Sequence, residues 1–263
     1  MYSPFKLAYK YLKYYFTAAN GKGHGIHSPF VFDFIKNVLN DKIVYPEFEK
    51  IENLRRNLMS DKTIITVEDL GAGEYRNKNR SVSSIARRSL KPIKFGQLFY
   101  RMVKKYRPQS ILELGTSLGI TTSYLSMAKP DARIITLEGS DKVADKARNN
   151  FSQLELKNIE LVRGNFDTTL EHVLAQLHKI DFVFIDGNHR QEPTIRYYRQ
   201  LFPKMHNDSI LILDDIHWSR EMEQAWKVII SDDAVACSMD LFSIGVILFR
   251  NQFKEKQHFI IRF

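Results

Sequence analysis

The sequence predicts a doubly wound α/β fold: a mostly parallel, seven-stranded sheet closed by a C-terminal antiparallel hairpin and preceded by a mostly helical N-terminal extension. Three observations lead there. From residue 109 onward, short runs rich in Ile, Leu, Val and Phe alternate with amphipathic stretches of helix length. The runs are nearly continuous in apolar residues, as strands are when helices cover both faces of a parallel sheet. The last two runs lie too close together to admit a helix between them, so they must pair antiparallel.

The elements come in order. "SILELG" leads into a helix near 118–129, "ARIITLEG" into one at 141–152, and "NIELVRGN" into one at about 168–178. "KIDFVFIDG" precedes a helix near 191–205, and "SILILDD" one near 219–231. "AVACSMDLF" and "IGVILFRN" are the terminal hairpin. Before them come an aromatic, basic start ("MYSPFKLAYKYLKYYF") and a glycine–histidine loop ("NGKGHGIHSPFVFDFI"). Next are a helical stretch near 47–59, a polar segment at 74–91 and a helix near 95–106. Residues 1–94 therefore read as an extension or lid, and 95–263 as the main domain.

Composition sets limits. A chain of 263 residues with 44% hydrophobic content can bury a sizeable core. One cysteine, Cys237, excludes an internal disulfide framework and a cysteine-rich metal site. No window approaches the roughly 18 to 20 apolar residues of a membrane span, and Lys6, Lys10 and Lys13 interrupt the start where a signal peptide would be apolar. Cytoplasm is the expected compartment. The net charge of +9 is uneven, because Arg76 to Arg107 carries many Lys and Arg and no acid. That stretch reads as solvated faces or as a phosphate-attracting surface.

Two segments look like a strand ending in an acid and a glycine turn: "VEDLGAG" from Val67 and "ILELGTSLG" from Ile111. In an open α/β sheet a ligand loop is succeeded by polar residues at later strand ends. The second turn meets that test. Glu138 ends the next strand, about twenty residues on, where a carboxylate accepts both hydroxyls of a ribose. Later strands end in Gly164-Asn165, Asp186 and Asp214-Asp215. The first turn has no such sequel, so Asp69 to Gly73 reads as a decoy or as part of a lid. Gly115 and Gly119 make G-x-x-x-G, not the G-x-G-x-x-G of dinucleotide enzymes. Gly115 then lets the backbone approach an amino-acid moiety, and Glu113 fixes the loop or an ammonium group.

Residues 95–250 resemble a class I S-adenosylmethionine-dependent methyltransferase, nearest in pattern to the catechol and caffeoyl-CoA O-methyltransferase group. "ELGTSLGITTSYL" resembles the group's first motif, "TLEGS" its ribose-binding acid and "RGNFDTTL" its adenine-side turn; "FVFIDGNH" and "LILDDIHW" resemble its catalytic strand ends. "HGIHSPF", "DLGAG" and "DDIHWSREMEQAW" resemble uncharacterised bacterial members. The resemblance implies a Rossmann-like fold and S-adenosylmethionine held by Glu113, Gly115, Thr116, Ser117, Gly119, Thr121, Glu138, Gly139, Asn165, Phe166 and Asp186. Asn165 takes the adenine amino group or a turn role.

Asp186, Asp214 and Asp215 end adjacent strands, and carboxylates packed together repel unless a cation joins them. Mg²⁺ or another divalent ion would do so and lower the pKa of a substrate hydroxyl. The resembling enzymes use two aspartates and an asparagine, so Asp215 in third place favours another metal or none; the alternative for Asp214-Asp215 is helix capping. His189 stands where those enzymes carry a lysine base, and reads as a base or as an exposed helix-start histidine. His217 is the second candidate. The expected acceptor is a small hydroxylated molecule, with RNA bound by 76–107, or a non-catalytic cofactor-binding scaffold, as alternatives. A homodimer is compatible with the sequence.

Overall fold

Serine caps and prolines set where the first helices begin. In the computed structural model, which describes residues 1–68 and 77–263, α1 (Pro4–Thr17) starts with Ser3 accepting the Lys6 N–H. α2 (Pro29–Phe34) repeats the device with Ser28 and Pro29, and continues as a π-helical turn over Ile35–Leu39. Proline suits the first turn because it has no N–H to leave unpaired. The chain forms two units, Met1–Asp41 with Leu177–Phe263, and Lys42–Gln176.

The unit Lys42–Gln176 opens with α3 (Pro46–Ser60), a hairpin of β1 (Ile64–Glu68) and β2 (Asn77–Ser81), and the helices α4 (Val82–Ser89) and α5 (Ile93–Tyr106). α5 buries Phe95, Leu98, Phe99 and Met102, the i, i+3, i+4, i+7 stripe of a core-facing helix. Then β3 (Ser110–Leu114), α6 (Ile120–Ala128), β4 (Arg133–Glu138), α7 (Asp141–Gln153), β5 (Ile159–Arg163) and α8 (Phe166–Ala175) alternate. β4 pairs parallel with β3 on one side and β5 on the other. Its residues Ile134 to Leu137 are buried, as a strand covered on both faces requires.

The extension is mostly helical, as expected, and the pair β1–β2 adds two strands to it that the sequence reading did not anticipate. β1 pairs antiparallel with β2, in a sheet of two strands. It alternates between exposed and half-buried residues, so it lacks the two covered faces that mark a parallel strand. The strand before the first glycine turn is thus no member of the parallel set. The turn Asp69–Gly73 itself lies outside the described residues.

In the other unit, β6 (Phe182–Ile185), α9 (Gln191–Leu201), β7 (Ile210–Asp214) and α10 (Arg220–Ser231) continue the alternation. β8 (Cys237–Asp240) and β9 (Ile244–Leu248) form the expected antiparallel hairpin, with β9 also antiparallel to β7. β3 to β9 are the seven strands anticipated. An eighth, β10 (Gln257–Ile260), pairs parallel with β8. Its four residues alternate half-buried and exposed, a pattern too short to stand out in sequence. Beside it, Ala19 bridges Ile261 and the Tyr14 hydroxyl donates to the Ile261 carbonyl, which ties α1 to the C-terminal segment. Cys237 is buried in β8, and burial pushes its thiol up to about 12, which suits a structural thiol and not a nucleophile.

Candidate functional site

The turn after β3 requires backbone conformations that side chains disfavour. Gly115 (φ 110°) and Gly119 (φ 79°) supply two of them, and Ser117 adopts a third at φ 48°. A Cβ on Gly119 would stand 2.4 Å from the Phe151 ring, so this corner accepts glycine alone. The turn is sewn to the end of β4. The Gly115 and Thr116 N–H groups both donate to the Leu137 carbonyl, at 3.0 and 3.1 Å. The Ser117 N–H donates to Glu138 Oε2 at 2.8 Å, and the Ser140 N–H to Oε1 at 2.9 Å. Glycine turn and acid, about twenty residues apart in sequence, are therefore one construction. Burial raises the Glu138 pKa, while the backbone donors oppose that rise.

Glu113 supports the turn from beneath. It is fully buried, and its Oε2 accepts from the Thr122 and Thr136 hydroxyls; the Thr116 hydroxyl reaches Thr136 in turn, at 2.6 Å. Burial pushes the Glu113 carboxyl up to about 7 against these hydrogen bonds. Of its two expected roles, fixing the loop is the one these contacts perform. Oε1 is a buried acceptor with no partner among the described residues. Sequence reading missed Thr122 and Thr136, although a threonine inside the apolar run of β4 was a signal that could have found the second.

The end of β5 joins the same group, because the Gly164 N–H (φ 124°) donates to the Glu138 carbonyl at 2.9 Å. Asn165 caps α8: its Oδ1 accepts the Asp167 N–H at 3.0 Å. Of its two expected roles, the turn role is thus present. Phe166, Gly139 and Thr121 lie half-buried at the starts of α8 and α7 and in the first turn of α6.

In the other unit the strand ends are strained as well. Asn188 (φ 66°), His189 (φ 46°) and Asp215 (φ 53°) are left-handed non-glycine residues, and such residues cost about 1–3 kcal/mol each and gather at functional sites. Ligand atoms of Asp186, His189 and Asp214 lie within 4.8 Å of one another. His189 Nε2 is 3.6 Å from Asp186 Oδ1, its ring rests by Trp218, and its Nδ1 is buried with no hydrogen-bond partner among the described residues. His189 is half-buried, not the exposed helix-start residue of the alternative reading.

Asp215 is not in that group. Successive strand residues point to opposite sides, so two neighbouring aspartates do not face one point unless the backbone turns. Here Asp214 is buried on the side of Asp186, while Asp215 begins the turn: its N–H donates to the Ser243 carbonyl and its carbonyl accepts from Trp218. Two carboxylates and an imidazole replace the expected three carboxylates.

His217 departs from its expected role as a base. Its Nε2 meets Asp240 Oδ2 at 2.7 Å and its Nδ1 meets Glu223 Oε1 at 3.1 Å, with Phe242 stacked on the ring. Both nitrogens are engaged, so neither is free to take a substrate proton. Glu223 also pairs with Lys10 at 2.6 Å and accepts from the Tyr2 hydroxyl, while His258 on β10 lies near Asp240. Burial works against the imidazolium, yet the Asp240 and Glu223 carboxylates outweigh it and raise the His217 pKa. A raised folded-state pKa gives stability that is complete below the unfolded value and lost as pH rises through the folded one. Thermal melts from about pH 6 to 9 should show stability falling as this bridge deprotonates, and His217→Gln should flatten that slope.

The alternation of strands and helices with its closing antiparallel hairpin is the fold of solved methyltransferases. Residues 112–216 match the family described as "Methyltransferase domain". A "Transmembrane O-methyltransferase homolog" of Rattus norvegicus is 31% identical over 99 residues, 36% of this chain and 38% of that protein. A "tRNA (guanine-N(7)-)-methyltransferase" of Mycoplasma mobile is 29% identical over 82 residues, 31% of this chain and 41% of that protein. The chain thus spans about two fifths of the curated relatives it matches. A methyltransferase of Podospora anserina, solved with S-adenosylhomocysteine bound, shares the fold at a TM-score of 0.61 and 14% identity, over 85% of this chain and 97% of that one. Among the described residues no helix is long and apolar enough to cross a membrane.

Proposed function

We propose that the protein transfers a methyl group from S-adenosylmethionine to a hydroxyl of a small molecule. The observation that carries this reading is the clasp between Ser117 and Glu138, which gathers the glycine turn and a ribose-binding acid into one cofactor site. The O-methyltransferase likeness supports the oxygen acceptor. Methyl transfer from a sulfonium is an in-line displacement, in which alignment supplies roughly 7–11 kcal/mol in favourable cases. Residues 1–94 would then serve as an extension to the catalytic domain.

Asp186, His189 and Asp214 fit a divalent ion. A carboxylate pair with an unpartnered imidazole nitrogen nearby is a mixed oxygen and nitrogen donor set. Such a set suits Mn²⁺ or Zn²⁺ better than Mg²⁺, which prefers oxygen and water throughout. A bound ion would lower the pKa of an acceptor hydroxyl. Without one, Asp186 would orient His189 as the base that removes the acceptor proton.

The runner-up acceptor is RNA, favoured by the likeness to a tRNA methyltransferase. The basic segment gives it little help: Arg101 is buried, and Arg87, Arg88, Lys104 and Lys105 occupy the last turns of α4 and α5, where cations complement the helix dipole. A binding scaffold without turnover would have no use for the strained strand ends. Calorimetry with S-adenosylmethionine and S-adenosylhomocysteine tests the cofactor. Labelled methyl transfer to phenolic, sugar and lipid-like alcohols, with Mn²⁺, with Mg²⁺ or with chelator, tests the rest. Binding of neither compound would end this reading, and transfer to RNA in preference to every alcohol would replace it.

A further inference from the structure

Phe5, Tyr9, Leu12 and Phe16 succeed one another at spacings of four, three and four, which places them on a single face of α1. That face is bare: the four residues are 90%, 69%, 54% and 78% exposed. The opposite face, by contrast, is the one that packs. Tyr14 is buried, Tyr11 and Tyr14 pack on Phe242, and Lys10 pairs with Glu223. Helix α1 is therefore held firmly to its own unit by one side while it offers an apolar, aromatic stripe on the other.

The charges beside the stripe indicate what it meets. Lys6 and Lys13 are exposed along one flank, and Arg262 lies over the Tyr15 ring on the other, 4.0 Å from its centroid. No acidic residue occurs before Asp33, so nothing in this region answers those cations from within α1 or the loop after it. A second copy would bring like charges together along the same stripe, with no carboxylate to pair them. An anionic lipid surface answers both features, because aromatic side chains settle at the headgroup level and lysines bind the lipid charge. Fourteen residues are too few to span a bilayer but suit a helix lying in its surface.

We propose that α1 is an interfacial anchor, its Phe5, Tyr9, Leu12 and Phe16 entering an anionic membrane surface with Lys6, Lys13 and Arg262 on the headgroups. The purified full chain is sedimented with vesicles of phosphatidylcholine alone and with vesicles containing about one third phosphatidylserine. Binding to the anionic vesicles only, weakened by salt, is expected. The combined variant Phe5→Ser, Tyr9→Ser, Leu12→Ser, Phe16→Ser should lose at least about tenfold in partitioning with an unchanged melting temperature, since it removes exposed groups. Lys6→Glu with Lys13→Glu, which leaves the apolar stripe intact, should also lose about tenfold or more. Three results would each overturn the proposal: no binding to anionic vesicles, equal binding by the serine variant, or concentration-dependent self-association through the stripe in place of vesicle binding.

Discussion

Glu138→Ala should weaken S-adenosylmethionine binding by about 10²- to 10⁴-fold in calorimetry, corresponding to two hydrogen bonds to a charged acceptor at about 1.5–3 kcal/mol each. Each Glu138 oxygen already takes a backbone N–H, from Ser117 and from Ser140. A carboxylate has about four acceptor sites in all, so capacity is left for ribose hydroxyls. The variant also releases the Ser117 N–H, and with it the restraint on a residue held at φ 48°. Glu138→Gln keeps the shape but can offer only one oxygen, so it should fall between. Affinity within about threefold of wild type in the alanine variant would show that the carboxylate does not hold the cofactor.

Asp186→Ala should have the opposite signature: cofactor affinity within a few-fold of wild type, and transfer reduced by about 10²- to 10⁴-fold. The reason is its company. Asp186 stands beside His189 at 3.6 Å and shares a cluster with buried Asp214, so on the proposed reading its removal disables either a base or an ion site. His189→Ala combined with Asp186→Ala should be no worse than the more damaging single variant, because groups that act as a unit do not add. Full turnover by Asp186→Ala on an identified acceptor would remove this cluster from the chemistry.

Much of the proposed cofactor half was legible in the order of residues alone. Gly115, Gly119 and Glu138 announce themselves by glycine spacing and by an acid closing the next strand, both of which are local features. The polar strand ends downstream of Gly119 mark that turn out from the one near Asp69 in sequence, and β1, the strand before the latter, pairs antiparallel with β2. The strand-end cluster proposed as catalytic was less legible. Asp214 and Asp215 are adjacent, and only the backbone turn at Asp215 separates their directions. His217 looked free to act as a base because Glu223, Asp240 and Lys10 are distant or unremarkable in sequence; the Lys10 to Glu223 pair joins residues 213 apart.

The sequence by itself determined the alternation of strands and helices, the closing hairpin and the place of the glycine turn. Those depend on period, glycine φ and chain length, which are properties of neighbours. The tertiary structure decided that Glu138 and Ser117 grip each other, that His189 and not Asp215 joins Asp186 and Asp214, and that His217 bridges two carboxylates. It also decided that the hairpin β1–β2 and the strand β10 form at all. Hydrogen bonds and desolvation are fixed by which groups meet across the fold, and no local pattern specifies that meeting.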